Sequence, residues 1–228
     1  MSINYSIFDL IGPIMVGPSS SHTAGAARLA RLARNIFGKT PERCTMSLYG
    51  SFAGTYLGHG THFALAAGLM GWAPDDERIP HSLRSAGNLG FDYEFIPMPP
   101  DDKERHPNTV ALFMQDGQGR QMNVVGASLG GGVVTISEID GFKVHLDGSQ
   151  HTVLVRHQDR IGIIAQITQV FALNSINIST MSVARTAKGA SALMTFETDQ
   201  IVGDGVRLEL AALRSVDSIA YVSPIGGI

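Results

Sequence analysis

The stretch Gly17-Pro18-Ser19-Ser20-Ser21-His22-Thr23-Ala24-Gly25 groups serine hydroxyls, a threonine and an imidazole where an apolar-periodic segment begins. A helix start carries unpaired N–H groups and positive partial charge. Hydroxyls gathered there suit a carboxylate or a phosphate. Gly17 and Gly25 permit close backbone approach. His22 adds the side chain best able to exchange a proton near neutral pH. The same residues also suit an ordinary helix cap with spare serines, and residue type alone leaves both readings open.

Three further groups offer chemistry. Gly58-His59-Gly60-Thr61-His62 precedes a second apolar segment. His59 and His62 can face one site or one metal, but no third ligand and no HExxH glutamate accompanies them. A tight glycine turn with one buried and one exposed histidine is the other reading. His106-Pro107-Asn108-Thr109 leads into a strand. Pro107 forces His106 into an extended or turn conformation, and Asn108 and Thr109 supply an amide and a hydroxyl, or an Asx-type turn. Ser128-Leu129-Gly130-Gly131-Gly132 can expose N–H groups to a ligand or form a bulge. These histidines lie beside Gly, Ser, Thr or Asn rather than on an apolar face, which favours a polar, metal-free small-molecule site. No GxGxxG, Walker or GxSxG motif is present. Asp75-Asp76-Glu77 and Asp101-Asp102 flank prolines and read as solvated loops. Cys44 reads as an inert, partly buried thiol.

Elements must position these groups. Apolar spacing predicts a helix over about 23–37, a strand over 45–49 and a buried helix over 62–71 that is too poor in β-branched residues for a strand. Strands follow over 91–98, 109–115, 121–127 and 133–145. Helices early and strands late make this part α+β. Asp147-Gly148-Ser149-Gln150 is a turn-type linker, so the domains are placed at 1–147 and 151–228. The second alternates as a strand over 151–156. A helix follows to 173, with Asp159 in Asp159-Arg160-Ile161-Gly162 as its candidate N-cap. Strands over 176–184 and 190–198, a helix over 204–214 and a strand over 218–222 complete a β-α-β-β-α-β order, the split βαβ pattern of the ferredoxin-like fold.

Composition narrows the class. The 228 residues are 44% hydrophobic and 16% charged, with a net charge of −3. Such a chain can bury a core, and it shows no basic excess for nucleic acid or an anionic membrane. The longest nearly apolar stretch, 63–73, is too short to span a bilayer. The opening MSINYSIFDL lacks the pattern of a secretory leader, so a cytoplasmic protein is expected. The single cysteine excludes an internal disulfide and any self-contained iron–sulfur or cysteine-type zinc site.

The run from Ser6 through Gly12-Pro13-Ile14-Met15-Val16 to Gly17-Pro18-Ser19-Ser20-Ser21-His22-Thr23 closely resembles the iron–sulfur-dependent L-serine dehydratases. Gly58-His59-Gly60-Thr61, His106-Pro107-Asn108-Thr109 and Ser128-Leu129-Gly130-Gly131-Gly132 follow in that family's order. The segment 151–222 resembles an ACT domain, a small-molecule-sensing module. Together these cover nearly the whole chain. The resemblance implies an N-terminal mixed α/β serine dehydratase beta domain followed by an ACT domain, as in the beta subunit of the two-chain enzymes. It implies conversion of L-serine to pyruvate and ammonia without pyridoxal phosphate. The [4Fe-4S] cluster would be ligated by a partner alpha subunit, in keeping with the lone Cys44. By the resemblance, Ser19, Ser20, Ser21 and Thr23 hold the substrate carboxylate. His22 orients the substrate or transfers a proton, unless the base comes from the alpha subunit; His59 and His106 are further candidate catalytic groups lining the same cleft, and Asn108 and Thr109 candidate substrate-binding residues. His62 stands where the family more often carries an acidic residue, so no role is assigned to it. In the ACT part, Asp159, Gly162 and Asn177 bind an amino acid between paired domains, or the domain only dimerises the enzyme. A stand-alone amino-acid sensor without catalysis is the alternative function, and a scaffolding subunit a third.

Overall fold

The computed structural model describes residues 14–100 and 104–226. The opening residues 6–13 of the serine-rich motif, and Asp101 and Asp102, lie outside them. Contacts divide the chain into two units. One runs to Asp140 and takes in His145–Asp147 and Ile225; the other comprises Gly141–Val144 and Gly148–Pro224.

In the first unit, a π-helical turn, Ser20–Ala24, leads into α1, Gly25–Phe37. The expected single helix from about residue 23 is therefore two pieces. Helix α1 is strongly amphipathic. Ala26, Ala27, Leu29, Ala30, Leu32, Ala33, Ile36 and Phe37 are buried, and left-handed Gly38 closes it by donating its N–H to the Arg34 carbonyl. Strand β1, Arg43–Leu48, then enters α2, Gly50–Thr55, and α3, Thr61–Leu69. Helix α3 is apolar nearly all round and correspondingly buried. A 3-10 turn at Ile79–His81 and α4, Ser82–Asn88, complete the crossover to β2, Asp92–Pro97. Strands β3 (Thr109–Gln115), β4 (Gln121–Gly130) and β5 (Val133–Ile139) follow, then β6 (Phe142–Leu146), whose first three residues are counted with the second unit. The sheet order is β2-β1-β3-β4-β5-β6. Strands β1 and β2 are parallel, as a helical crossover requires. The pairs β1–β3, β3–β4 and β4–β5 are antiparallel.

Two differences from the sequence expectation have clear causes. The run 133–145 is broken at Asp140-Gly141, where both residues take positive φ. There the Asp140 N–H donates to the Asn123 carbonyl and the Asn123 N–H to Asp140 Oδ1, each at 2.8 Å. Helices α2 and α4 carry no apolar period, and tertiary contacts hold α2 instead. The Pro107 carbonyl accepts the N–H groups of Ser51 (2.7 Å) and Phe52 (3.3 Å).

The second unit contains β7 (His151–Gln158), α5 (Ile163–Leu173), β8 (Ile178–Arg185), β9 (Ser191–Thr198), α6 (Asp204–Ala211) and β10 (Val216–Val222). The sheet order β10-β7-β9-β8, antiparallel throughout, is the split βαβ arrangement. Val153, Val155, Met194 and Phe196 from the sheet pack with Ile163, Ile167, Val170 and Phe171 from α5 and Leu210 from α6. The fold is therefore α+β with a ferredoxin-like C-terminal part. No helix among the described residues is long and apolar enough to cross a membrane.

Candidate functional site

The four sequence motifs of the first unit are linked by short contacts around the N-terminus of α1. Ser19 caps the π turn, its Oγ accepting the His22 N–H at 3.1 Å. The Ser19 carbonyl accepts the Thr23 and Ala24 N–H groups, and the Ser20 carbonyl that of Gly25. The N–H groups of Ser20 and Ser21 lead the turn, where helical partners are lacking. Thr23 Oγ1 donates to the His59 carbonyl at 3.1 Å. This ties the serine motif to the Gly58–His62 loop. Gly25 lies against the glycine-rich turn: a Cβ there would sit 2.0 Å from Ser128 Oγ. Ser128 in turn donates its N–H to the Asn108 carbonyl (3.1 Å) and accepts Asn108 Nδ2 on its own carbonyl (3.3 Å).

His22 is the centre of this cluster and is only 8% exposed. Its Nδ1 lies 3.0 Å from Ser21 Oγ and 3.4 Å from Ser19 Oγ, and its Nε2 3.0 Å from Ser51 Oγ. The ring meets His59 edge to face at 4.7 Å and Phe52 at 5.3 Å. Burial first, and the adjacent His59 second, hold the His22 pKa below the ordinary 6.5. His22 is therefore a neutral imidazole at neutral pH, able to take a proton. Among the described residues, His59 Nδ1, Thr61 Oγ1 and Ser128 Oγ are buried without a hydrogen-bond partner. Unpaired buried polar atoms are rare in folded proteins and call for an explanation. Their grouping in loops that meet at one helix start is what a site awaiting a polar ligand presents.

Other expected residues have different surroundings. His62 turns away from His59. Its Nδ1 donates to the Tyr56 carbonyl at 2.8 Å, and its ring packs among Tyr56, Phe63 and Phe95. Aromatic packing thus sets His62 apart from His59, and no group of three or more potential metal ligands occurs among the described residues. His106 is exposed and accepts the Asn108 N–H on Nδ1 at 3.2 Å. It lines a neighbouring cleft of about 290 Å³ with Tyr49, Gly50, Pro99, Arg105 and Pro107. Thr109 Oγ1 donates to the His106 carbonyl at 2.7 Å, so it secures this loop. Ser51 and Phe52 were not anticipated, because α2 shows no periodicity; a glycine directly after a strand was the one available signal. Cys44 is fully buried and its thiol pKa is pushed far up, which makes it inert. The lone thiol of this chain therefore does not fit an iron–sulfur ligand set.

In the second unit, Asp159 is not the cap of α5. Left-handed Gly162 takes that place without a side-chain cap. Asp159 Oδ2 instead accepts the Gly189 N–H at 2.9 Å and Arg185 Nη1 at 3.0 Å, and these contacts lower its pKa. Its carboxylate thus fastens the β7–α5 loop to the β8–β9 turn, a tertiary contact outside the local capping logic. Asn177 donates Nδ2 to Asp199 Oδ2 at 2.6 Å, and its N–H goes to Gln200 Oε1 at 2.7 Å.

Comparison with known proteins gives this geometry a family. The description "Serine dehydratase beta chain" matches residues 6–139, and "ACT domain" matches residues 151–215. The chain is 44% identical over 218 residues to the "Probable L-serine dehydratase, beta chain" of Bacillus subtilis (strain 168), covering 96% of this chain and 98% of that protein. It is 33% identical over 219 residues to the "L-serine dehydratase, beta chain" of Peptoniphilus asaccharolyticus, with the same coverage. Over an alignment of 159 positions it is 32% identical to the "L-serine dehydratase" of Streptomyces coelicolor, covering 60% of this chain and 34% of that one. With matches across both units, this chain belongs to the serine dehydratase beta chain family and carries a C-terminal ACT domain.

Proposed function

We propose that this chain is the substrate-binding beta subunit of a cytoplasmic L-serine ammonia-lyase, forming pyruvate and ammonia together with an alpha subunit. The observation that carries the reading is His22, a neutral imidazole between hydroxyls, beside the unpaired Nδ1 of His59. In this reading the [4Fe-4S] cluster, a Lewis acid toward the substrate hydroxyl, is held wholly by the alpha subunit. The leading N–H groups and hydroxyls of Ser19, Ser20 and Ser21 take the substrate carboxylate. Thr23 contributes by anchoring the His59 loop. His22 accepts the α-proton or orients the substrate, and His59 offers its open nitrogen to a polar substrate group. His106, Asn108 and Thr109 shape the adjoining wall. In the ACT domain, β8 is a sheet edge with exposed Met181 and Val183. Such an edge suits self-association, and Asp159, Gly162 and Asn177 lie in loops available to an amino-acid effector.

The test is anaerobic co-expression with the candidate alpha chain, followed by pyruvate formation from L-serine by each chain and by both. Activity only in the mixture supports the reading. His22→Ala should then lower turnover more than tenfold with assembly intact, a loss typical of a proton-transfer group. Serine binding by this chain alone, with no turnover in the mixture, would support an amino-acid sensor instead.

A further inference from the structure

Ser51 is held in place by its backbone, not by its side chain. Gly50 takes φ +54°, and a Cβ there would lie 2.6 Å from the Pro107 carbonyl oxygen. That same carbonyl accepts the Ser51 N–H at 2.7 Å. One turn on, Thr55 Oγ1 donates to the Ser51 carbonyl at 2.7 Å. These contacts fix the start of α2 without using the Ser51 hydroxyl, which instead meets His22 Nε2 at 3.0 Å. Serine also has only modest helix propensity, so nothing local accounts for it here.

The hydroxyls on the other side of the ring determine which way the protons run. A neutral imidazole has one N–H and one bare nitrogen. Ser19 Oγ already accepts the His22 backbone N–H, so its own proton is available to donate. Ser19 Oγ and Ser21 Oγ lie 3.4 Å apart, and both are within reach of Nδ1. That side of the ring is therefore rich in donors, which favours a bare Nδ1. With Nδ1 bare, the ring proton is on Nε2 and Ser51 Oγ is the acceptor within reach.

We infer that Ser51 is a positioning residue that fixes the tautomer and ring orientation of His22, turning a bare Nδ1 toward the Ser19–Ser21 turn. This rests on the proposed role of His22. Ser51 stands to that imidazole as the third group of a catalytic triad stands to its histidine: it touches the base rather than the substrate. Loss of the hydroxyl lets the imidazole populate both tautomers and swing away from the turn.

The decisive measurement is nitrogen NMR of the full chain with 15N-labelled histidine, which separates protonated from bare ring nitrogens. In the wild type, His22 should show its bare nitrogen as Nδ1. Ser51→Ala should give averaged shifts for the two nitrogens, and Ser51→Thr, which keeps the hydroxyl, should restore the wild-type pattern. In the assembled enzyme, Ser51→Ala should lower kcat by about tenfold or more with KM within about twofold, a part of the effect of a positioned proton-transfer group. A protonated Nδ1 in the wild type, or an unchanged tautomer in Ser51→Ala, overturns the inference. If Ser51→Ala does not fold, a protonated Nδ1 in the wild type or in Ser51→Thr still overturns it. Absence of serine turnover in the wild-type mixture defeats the proposed reaction alone, because the NMR result decides the role of Ser51 without it.

Discussion

Replacing Gly68 with alanine should damage the site from a distance. Gly68 lies in α3, where that helix meets α1. A Cβ there would sit 2.2 Å from the Ala27 carbonyl oxygen, 2.7 Å from Ala30 Cβ and 2.9 Å from the Arg31 nitrogen. Two of these neighbours are backbone atoms, so no rotamer change relieves the overlap. The helices must part by about 1 Å to regain ordinary contact distances. Overpacking of this kind costs about 1–3 kcal/mol, occasionally more. The intrinsic helix preference for alanine returns about 0.5–1 kcal/mol, leaving a net loss of up to about 2 kcal/mol. Gly87→Ala in α4 is the control: a Cβ there meets nothing within 4 Å, so only the propensity gain of about 0.5–1 kcal/mol should appear. Denaturant unfolding of both variants measures the difference. The N-terminus of α1 carries His22 and Thr23, and the approach to α3 carries His59, so parting the helices should also lengthen the 3.1 Å Thr23–His59 contact. Gly68→Ala as stable as Gly87→Ala would refute the argument that this glycine is required by backbone contact.

Thr61→Val should leave stability unchanged or raise it by about 1 kcal/mol, because Thr61 Oγ1 is buried without a partner and removing an unsatisfied group relieves its desolvation cost. The same variant should weaken serine binding, so KM should rise with no fall in melting temperature; a fall in melting temperature would show that the hydroxyl is paired. The depressed pKa of His22 sets a pH dependence. Above 6.5 the ring is neutral in both the folded and the unfolded chain. As pH falls below 6.5 the unfolded chain takes up the proton first, so stability is lost progressively through the folded pKa. Denaturant midpoints between pH 7.5 and pH 5 should fall less in His22→Gln than in the wild type, and parallel curves would count against a depressed pKa.

Much of this protein is legible in its residues. In the second unit the helically spaced Ile163, Ile167, Val170 and Phe171 face the core together with Val153 and Val155 of β7 and Met194 and Phe196 of β9. Local periodicity, a lone cysteine and a serine-rich turn before an apolar helix are properties of the chain alone, and they pointed to the α+β class and to a candidate site at that turn, while the family came from the resemblance of whole motifs. Tertiary structure decided what those patterns cannot encode. Helix α2 has no apolar period and is held by the Pro107 carbonyl, 56 positions beyond Ser51. That long-range contact helps bring Ser51 to His22. His59 and His62 are three residues apart in a helical approach that could have aligned them, yet the aromatic side chains of Tyr56, Phe63 and Phe95 surround His62 alone. Asp159 is a cap by local logic, but its carboxylate is taken by Gly189 and Arg185, 30 and 26 positions away. Sequence spacing determines which groups lie near one another along a strand or helix. Which nitrogen meets which hydroxyl depends on contacts closed across loops, and those exist only once the sheet has brought distant segments together.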